Sequence, residues 1–312
     1  MPIALAGRQR IHEDIMSTKP VCAITGSNGY VGGCLRAHLA GHGWDILELT
    51  RQPKPGARAV AFQLGADVAP AALAGVRALV HCAYDFKPLG WAEIKAANVA
   101  GTQKLMHAAN AAGVERIVCI SSISAYDGCR SLYGRAKLDI EHLAQDQGAL
   151  VIRPGLVYGP GPGGMFGKLM DQVRKSSLIP LIGDGSQIQY LVQHEDLTAF
   201  VAQALATGLP GAPRLLTAAH PQPWPFKQLL QEIACALDKK VTFIPLPWRL
   251  VWAGLKSAET LGLRLNFRSD SLVSLMYQNP RPDFSPNEAA GLHCRALEIK
   301  VSNYSRRKIF RW

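Results

Sequence analysis

Tyr133 and Lys137 lie four positions apart in the stretch "SSISAYDGCRSLYGRAK", residues 121–137. On a helix this spacing places both side chains on one face. A tyrosine hydroxyl has an unperturbed pKa of about 10 and exchanges protons poorly at neutral pH. A lysine ammonium beside it stabilises the phenolate and lowers that pKa. With a serine at the end of the preceding strand to hydrogen-bond a substrate oxygen, the pair predicts proton transfer at a carbinol or carbonyl group.

A glycine-rich loop near the start of the chain predicts a cofactor site. Gly26, Gly29 and Gly32 lie at GxxGxxG spacing in "TGSNGYVGG", between the apolar run "VCAI" and a stretch of helical pattern. The first glycine permits a tight turn, the second lets the backbone approach a pyrophosphate, and the third lets helix and strand pack closely. The helix N-terminus then offers N–H groups to the phosphates. We therefore expect a dinucleotide to bind here.

The end of the second predicted strand, "DILELT", bears on which dinucleotide binds. An acidic residue there would accept the ribose hydroxyls of NAD, whereas arginine suits the 2′-phosphate of NADP. Arg51 follows the strand, and Glu48 is predicted to lie within it. The sequence thus favours NADP slightly over NAD. A slip of one residue would instead bring Glu48 to the ribose and favour NAD.

The elements that position these residues follow an α/β pattern. From Val21 to Arg153, short apolar runs alternate with Ala- and Leu-rich helical stretches, which predicts a doubly wound parallel sheet, a Rossmann fold. Pro/Gly clusters after Pro154 indicate loops and a smaller C-terminal substrate lobe. The expected organisation is an N-terminal extension (1–19), a dinucleotide-binding domain (20–158 and 184–205) and a substrate-binding lobe (159–183 and 206–312).

Charge and composition restrict the partners. The 312 residues carry 34 Lys and Arg against 23 Asp and Glu, a surplus that favours anionic ligands such as phosphorylated cofactors or acidic substrates. The sequence has no nucleic-acid motif, and no apolar run reaches the roughly 18 residues that span a bilayer. We therefore expect a small-molecule substrate, and we expect neither nucleic acid nor a membrane as a partner. The sequence leaves open whether the protein forms a homodimer. The seven scattered cysteines favour a cytoplasmic protein without a metal site.

Motifs in a fixed order resemble one family, the extended short-chain dehydrogenase/reductases, also called the NAD-dependent epimerase/dehydratase family. The resemblance spans about Val21 to Phe200 and rests on "TGSNGYVGG", "LVHCA", "NVAGTQKLMHAA", "VCISSISAYDG", "YGRAKLDIE", "VIRPGLVYGPG", "IGDGSQ" and "HEDLTAF". It implies hydride transfer to or from a nicotinamide. The C-terminal lobe matches only loosely, through "RPDFSPNEAAGLH".

The resemblance also implies residue roles. Tyr133 would be the catalytic acid/base, Lys137 its partner and a ligand of the nicotinamide ribose, Ser122 the holder of the substrate oxygen, and Asn98 a support of the site. The other implied cofactor contacts are the loop residues Gly26, Ser27, Asn28, Gly29, Tyr30, Val31 and Gly32, the adenine-side Asp67 and Val68, the strand end His81, Cys82 and Ala83, and Pro154 and Val157 near the nicotinamide.

Two other polar positions are predicted to be structural. His81 is expected to be a packing residue at a strand end and not a catalytic base. Asp196 in "HEDLTAF" is expected to cap the start of a helix.

The sequence does not decide between a sugar substrate and an apolar one. Arg281 matches an arginine that nucleotide-sugar enzymes of the family use, and the stretch "IGDGSQ" is retained, which favours a sugar or nucleotide-sugar. Leu156 replaces an asparagine, and Gln189 an arginine, that are common in those enzymes. The alternative enzyme is a ketone or hydroxysteroid-like reductase with an apolar substrate. A non-catalytic dinucleotide-sensing protein is the alternative from another class, and the intact Ser122, Tyr133 and Lys137 argue against it.

Overall fold

A computed structural model describes residues 19–299 except 160, 162, 264 and 266. The predicted N-terminal extension therefore lies outside the described residues, apart from Lys19. In chain order the strands are β1 (Val21–Thr25), β2 (Asp45–Thr50), β3 (Ala59–Ala61), β4 (Val76–His81), β5 (Arg116–Ile120), β6 (Leu150–Pro154), β7 (Leu156–Tyr158), β8 (Leu178–Ile182), β9 (Ile188–Gln189), β10 (Leu191–Gln193), β11 (Leu215–Ala218), β12 (Trp224–Pro225) and β13 (Thr242–Leu246).

The helices alternate with these strands. They are α1 (Tyr30–Gly41), α2 (Trp91–Ile94), α3 (Gly101–Ala111), α4 (Leu132–Asp146), α5 (Gly164–Lys175), α6 (His194–Thr207), α7 (Phe226–Ala236), α8 (Trp248–Thr260), α9 (Ser269–Met276) and α10 (Pro286–Ala290). A 3₁₀ turn covers Pro70–Leu73, and one π-helical turn, Lys95–Ala100, joins α2 to α3.

Seven strands form the main sheet, in the order β3-β2-β1-β4-β5-β6-β11, and every pair is parallel. The order reverses direction between β1 and β4. At such a switch point the connections leave in opposite directions and open a crevice outside the carboxyl ends of the strands. The predicted doubly wound Rossmann sheet is confirmed.

The central strands are apolar on both faces because helices cover both sides of the sheet. Cys22 and Ile24 of β1 pack on one side with residues of α1 and α6, while Ala23 packs on the other with residues of α3 and α4. All three side chains are fully buried. The alternation of strand side chains therefore builds two cores that hold the strand ends rigidly.

The sheet extends beyond the predicted domain boundary. β11 was placed by sequence in the substrate lobe, yet it pairs with β6 at the edge of the main sheet. The amide of Asn287 in α10 bonds both backbone groups of Thr217, at 3.3 Å from its N–H and 2.8 Å from its carbonyl. The chain thus returns to the dinucleotide domain and covers the edge of β11.

The start of α6 also differs from the prediction. The helix is capped at Gln193 without a side-chain hydrogen bond, and Asp196 lies inside the first turn. The carboxylate of Asp196 accepts from the backbone N–H of Arg295 at 2.8 Å and from its Nε at 2.6 Å. The prediction of a cap is therefore wrong, because Asp196 instead ties a distant segment to the helix.

A third core builds the smaller lobe. It joins α5, α7 and β8 around buried apolar side chains, among them Phe166, Met170, Leu181 and Leu229. Among the residues that the structure describes, no helix has the length and hydropathy needed to cross a membrane.

Candidate active site

The loop after β1 is built so that only glycine fits at two positions. Gly26 has φ +71°, and a Cβ there would lie 2.9 Å from the backbone nitrogen of Ala83. A Cβ on Gly32 would run into the carbonyl oxygen of Gly26. The backbone therefore makes a tight turn and passes directly into α1.

The N-terminus of α1 is open to an anion. Its cap residue is Gly29, which has no side chain to cap the helix, and the first turn contains no acidic residue. The positive end of the helix dipole therefore faces no carboxylate of its own helix. The crowded glycines and the uncapped helix together fit a pyrophosphate, as a nicotinamide dinucleotide would supply.

Glu48 is engaged beneath this loop. Ser27 donates to one carboxylate oxygen at 2.6 Å, and Arg36 approaches the other at 3.0 Å. Burial alone would raise the pKa of Glu48, but these hydrogen bonds outweigh it and hold the pKa below its usual value. Asn28 and Thr50 bond at 3.0 Å beside it. Arg51 is exposed at the end of β2.

A buried chain of hydrogen bonds joins the ends of β1 and β4 to the helix that follows. The Thr25 hydroxyl oxygen accepts from the backbone N–H groups of Cys82 and Ala83, each at 3.1 Å, and lies 2.8 Å from Nδ1 of His81. Its hydrogen is therefore directed to Nδ1. The other ring nitrogen lies 2.9 Å from the hydroxyl of Thr102 and carries the proton.

His81 is consequently neutral. Burial, helped by the nearby charge of Lys137, lowers its pKa from the usual 6.5 to about 3. With both ring nitrogens engaged, the imidazole acts as a fixed spacer between the strand and Thr102. Thr102 in turn donates to the backbone carbonyl of Asn98 at 2.7 Å.

Asn98 fixes the loop that follows β4. It is fully buried in the π-helical turn, a feature that often marks functional sites. Its side-chain oxygen accepts from the backbone N–H of Asp85 at 2.7 Å, and its amide donates to the Asp85 carbonyl at 3.1 Å. The side chain therefore holds the loop that carries Tyr84 and Phe86.

Tyr133 and Lys137 lie at the start of α4, beside that loop. Lys137 is 3% exposed, and its ammonium donates to the Ile120 carbonyl at the end of β5 at 2.9 Å. The ring of Tyr84 contacts both side chains, 4.9 Å from the Tyr133 ring and 5.4 Å from the Lys137 nitrogen. Phe86 stacks on Tyr133 at 5.6 Å. Tyr84 and Phe86 belong to no sequence motif.

The two serines after β5 have different partners. Ser121 is buried, and its hydroxyl donates to Glu141, whose carboxylate also binds Arg153 through two nitrogens. Ser122 is half-buried, and its hydroxyl accepts from the backbone N–H of Ser124 at 3.2 Å. Ser121 is thus committed to the protein interior, which leaves Ser122 as the serine for a ligand.

Asp270 links the C-terminal part of the chain to the helix of Tyr133. Its two carboxylate oxygens accept from the backbone N–H groups of Leu132 at 2.7 Å and of Tyr133 at 3.0 Å. Ser131 caps the same helix by accepting from Gly134 at 3.0 Å. Asp270 was not among the predicted residues because it lies 137 positions after Tyr133 and belongs to no motif.

The remaining predicted residues are more dispersed. Asp67 is exposed and pairs with Lys104 at 2.8 Å, while Val68 packs against the core. Pro154 is buried and Val157 is half-buried at the ends of β6 and β7. The side-chain nitrogen of Gln189 is buried without a hydrogen-bond partner, and Arg281 is exposed. Among the described residues, no group of three or more His, Cys, Asp or Glu side chains is placed to hold a metal ion.

Replacing His81 tests the buried chain through pH. Its folded pKa of about 3 lies below the unfolded value of 6.5, so the unfolded state binds the proton first as pH falls. The stability that neutral His81 contributes is complete above pH 6.5 and is lost toward pH 3, at about 1.4 kcal/mol per pH unit. His81→Asn should lower the free energy of unfolding at neutral pH and remove this slope in urea titrations. The exposed control His142→Asn should keep it, and equal slopes in parent and His81→Asn would contradict the assignment.

Replacing Asp270 tests the link between α9 and α4. Asp270→Ala leaves the N–H groups of Leu132 and Tyr133 without their acceptor, so we expect a loss of about 1–2 kcal/mol in the free energy of unfolding. If the carboxylate also positions Tyr133, kcat should fall more than KM rises, and Asp270→Asn should recover part of the rate. Asp127→Ala, in an exposed loop, is the control. Parent-like stability and rate in Asp270→Ala would exclude both roles.

Known proteins agree with this geometry. The 3 beta-hydroxysteroid dehydrogenase/Delta 5-->4-isomerase of Mycobacterium tuberculosis is 29% identical over 196 residues, 51% of this chain and 53% of that protein. The ceramide reductase of Caulobacter vibrioides is 30% identical over 189 residues, 57% of this chain and 59% of that protein. The matched part of the chain therefore spans little more than half the length of these two curated relatives.

Structural comparison shows the same fold. MoeE5 in complex with UDP-glucuronic acid and NAD superposes with a TM-score of 0.67 at 20% identity, covering 88% of this chain and 94% of that one. Residues 22–214, more than half of the sequence, match the NAD dependent epimerase/dehydratase family. The chain belongs to that family, whose enzymes are of the short-chain dehydrogenase/reductase type.

Proposed function

We propose that this enzyme interconverts a secondary alcohol and a ketone, with Tyr133 as the acid/base and an apolar substrate. The observation that carries the proposal is the arrangement around Tyr84: its ring lies 5.4 Å from the buried Lys137 ammonium and 4.9 Å from the ring of Tyr133. Lys137 also follows Tyr133 by one turn of the same helix, so both side chains lie on one face. A phenol with a neighbouring ammonium can exchange a proton with an alcohol or a ketone.

Each residue then has one task. Tyr133 gives a proton to the carbonyl oxygen during reduction and takes it back during oxidation. Lys137, held at the Ile120 carbonyl, stabilises the phenolate, and Ser122 hydrogen-bonds the substrate oxygen. The loop from Gly26 to Gly32 and the strand ends at His81, Cys82, Ala83, Pro154 and Val157 would hold the nicotinamide dinucleotide. When bound, that cofactor supplies or accepts the hydride.

The surroundings of Tyr133 favour an apolar substrate over the sugar or nucleotide-sugar that the motifs suggested. Tyr84 and Phe86 contact the ring of Tyr133, and Phe86 exposes 57% of its surface. Leu89, three positions further along the loop after β4, exposes 43%. Exposed aromatic and aliphatic side chains at a reaction site provide an apolar binding surface. The named activities of the two curated relatives, a steroid dehydrogenase and a ceramide reductase, are of the same class.

A nucleotide-sugar is the second candidate because of Gln189. Its side-chain nitrogen is buried without a partner, and a buried unpaired donor costs free energy unless a ligand completes it. Arg281 could add a cationic contact. A panel that contains long-chain ketones and UDP-sugars separates the candidates, since an apolar site predicts turnover of the ketones alone.

For the cofactor we propose a preference for NADP(H). Arg51 is exposed where β2 ends, and the carboxylate of Glu48 is already engaged by Ser27 and Arg36. No carboxylate is thus positioned by these contacts to receive the ribose hydroxyls. A guanidinium at that place suits a 2′-phosphate.

Tyr133→Phe tests the chemistry. The phenyl ring keeps the packing against Tyr84 and Phe86 but loses the proton carrier, so we expect kcat to fall about a hundredfold or more while cofactor affinity stays unchanged. Steady-state rates on any ketone that the parent reduces, with calorimetric titration of the cofactor, provide both readouts. A variant that turns over at the parent rate would refute the site.

Arg51→Ala tests the cofactor preference. A charge-assisted bond to the 2′-phosphate is worth about 1.5–3 kcal/mol, so NADP(H) should bind about tenfold or more tighter than NAD(H) at low salt. The substitution should erase most of that preference, and added salt should reduce it. Arg77→Ala removes an equal charge from an arginine paired with Glu115 and serves as control. Tighter binding of NAD(H) to the parent in calorimetry would contradict the proposal.

A further inference from the structure

Helix α8 has an apolar outer side that the rest of the described chain leaves uncovered. None of its residues is buried. Leu250, Gly254, Ser257 and Leu261 are exposed and follow one another at i, i+4, i+7 and i+11, so they form one stripe along the helix and its C-cap, about 16 Å long. Leu250 and Leu261 expose 71% and 77% of their surfaces.

The exposed apolar side chains continue past the end of the helix. Leu263 and Leu265 expose 57% and 45% of their surfaces. Trp252, which exposes 38%, lies on another side of α8, about 160° from Leu250. Leu250, Leu261, Leu263 and Leu265 are four of the ten large apolar side chains that the described residues expose. A cluster of this kind within sixteen positions exceeds the scattered exposure normal for a protein surface and marks an interaction site. We call these four side chains the α8 surface.

The charges on α8 are compatible with an anionic partner. Arg249 and Lys256 are exposed, and they lie about 100° from the stripe, at its side. Glu259, the acidic residue of the helix, is half-buried and accepts from the backbone N–H and the hydroxyl of Ser269, at 2.8 and 2.6 Å. The available charges of the helix are therefore positive, in a chain with a formal net charge of +11.

The α8 surface is connected to the mouth of the active site. Ser269, held by Glu259, precedes Asp270, which binds the backbone of Tyr133. Arg268 donates to the carbonyls of Phe86 and Pro88. The exposed Phe86 stacks on Tyr133. These hydrogen bonds thus connect α8, with its exposed apolar side chains, to the loop and the helix that carry Phe86 and Tyr133.

We propose that the α8 surface docks on an anionic lipid bilayer, so that an amphiphilic substrate reaches Tyr133 from the membrane. An apolar helix side flanked by basic residues has the composition of helices that lie in the membrane interface. A second copy of the chain fits less well, since a two-fold contact through this stripe would bring Arg249 and Lys256 of both copies together. The substrate part of the inference rests on the proposed function, whereas the docking does not.

Docking of the α8 surface on a bilayer differs from the expectation, drawn from the sequence, of no membrane partner. That expectation followed from the absence of a spanning apolar run, and interfacial binding needs no such run. The signal was present in the sequence "WRLVWAGLKSAETLGL". It could not be separated there from a helix that buries the same leucines in a core.

Vesicle sedimentation of the full chain tests the docking without any turnover. The parent should sediment with vesicles of phosphatidylglycerol and phosphatidylcholine in equal parts, and much less with phosphatidylcholine alone. Leu250→Glu/Leu261→Glu should lower the partition coefficient by at least about tenfold. Ala199→Glu/Ala206→Glu, on exposed positions of α6 on the opposite side of the main sheet, changes the net charge equally and should bind like the parent apart from a small charge effect.

Two results would overturn the inference. One is a parent that stays in the supernatant with anionic vesicles, or equal binding by both double variants. The other is a concentration-dependent dimer in sedimentation velocity that the leucine variant alone loses, which would assign the α8 surface to a second copy. Reduction of a short soluble ketone should persist in the leucine variant. An inactive parent that still binds vesicles would refute the proposed function and leave the docking intact.

Discussion

The hydroxyl of Thr25 holds the structure together at the point where the order of the sheet reverses. One oxygen accepts from two backbone N–H groups after β4, and its hydrogen is directed to His81. The glycine loop and the loop of Tyr84 begin next to this contact. His81 connects it to the π-helical turn through Thr102 and Asn98. Because every member of the chain is buried and bonded, the three segments cannot shift independently. The cofactor loop and the loop over Tyr133 are therefore fixed relative to each other.

Local sequence was sufficient for the fold and for the helix that carries Tyr133 and Lys137. Gly26 and Gly32 lie where spacing placed them because the reason for glycine, a close backbone approach, acts over a few residues. Tyr133 and Lys137 likewise share one helix. Asp270 could not be found this way, since it meets Tyr133 only after the chain has folded back. β11 lies in the main sheet for the same reason, because strand pairing over more than sixty residues leaves no local pattern.

The sequence left open whether Arg51 or Glu48 faces the cofactor at the end of β2. The side-chain contacts of Glu48 bear on that choice. Glu48 lies opposite Ile24 in the parallel pairing, and its carboxylate is occupied by Ser27 and Arg36. The half of the site that we propose holds the cofactor is therefore polar and hydrogen-bonded. The other half, around Tyr133, is aromatic, with Tyr84 half-buried and Phe86 exposed. This asymmetry is what an enzyme needs if it uses a soluble dinucleotide on a substrate taken from an apolar phase.

The most direct measurement follows the hydride itself. The protein is incubated with a long-chain ketone and NADPH that carries deuterium at the transferable position of C4, and the product alcohol is analysed by mass spectrometry. If the cofactor transfers the hydride and Tyr133 the proton, the parent should give a product with one deuterium on the carbinol carbon. Tyr133→Phe should give no product above background. Reduction that leaves the carbinol carbon free of deuterium, or labelled product from Tyr133→Phe at the parent rate, would contradict these roles.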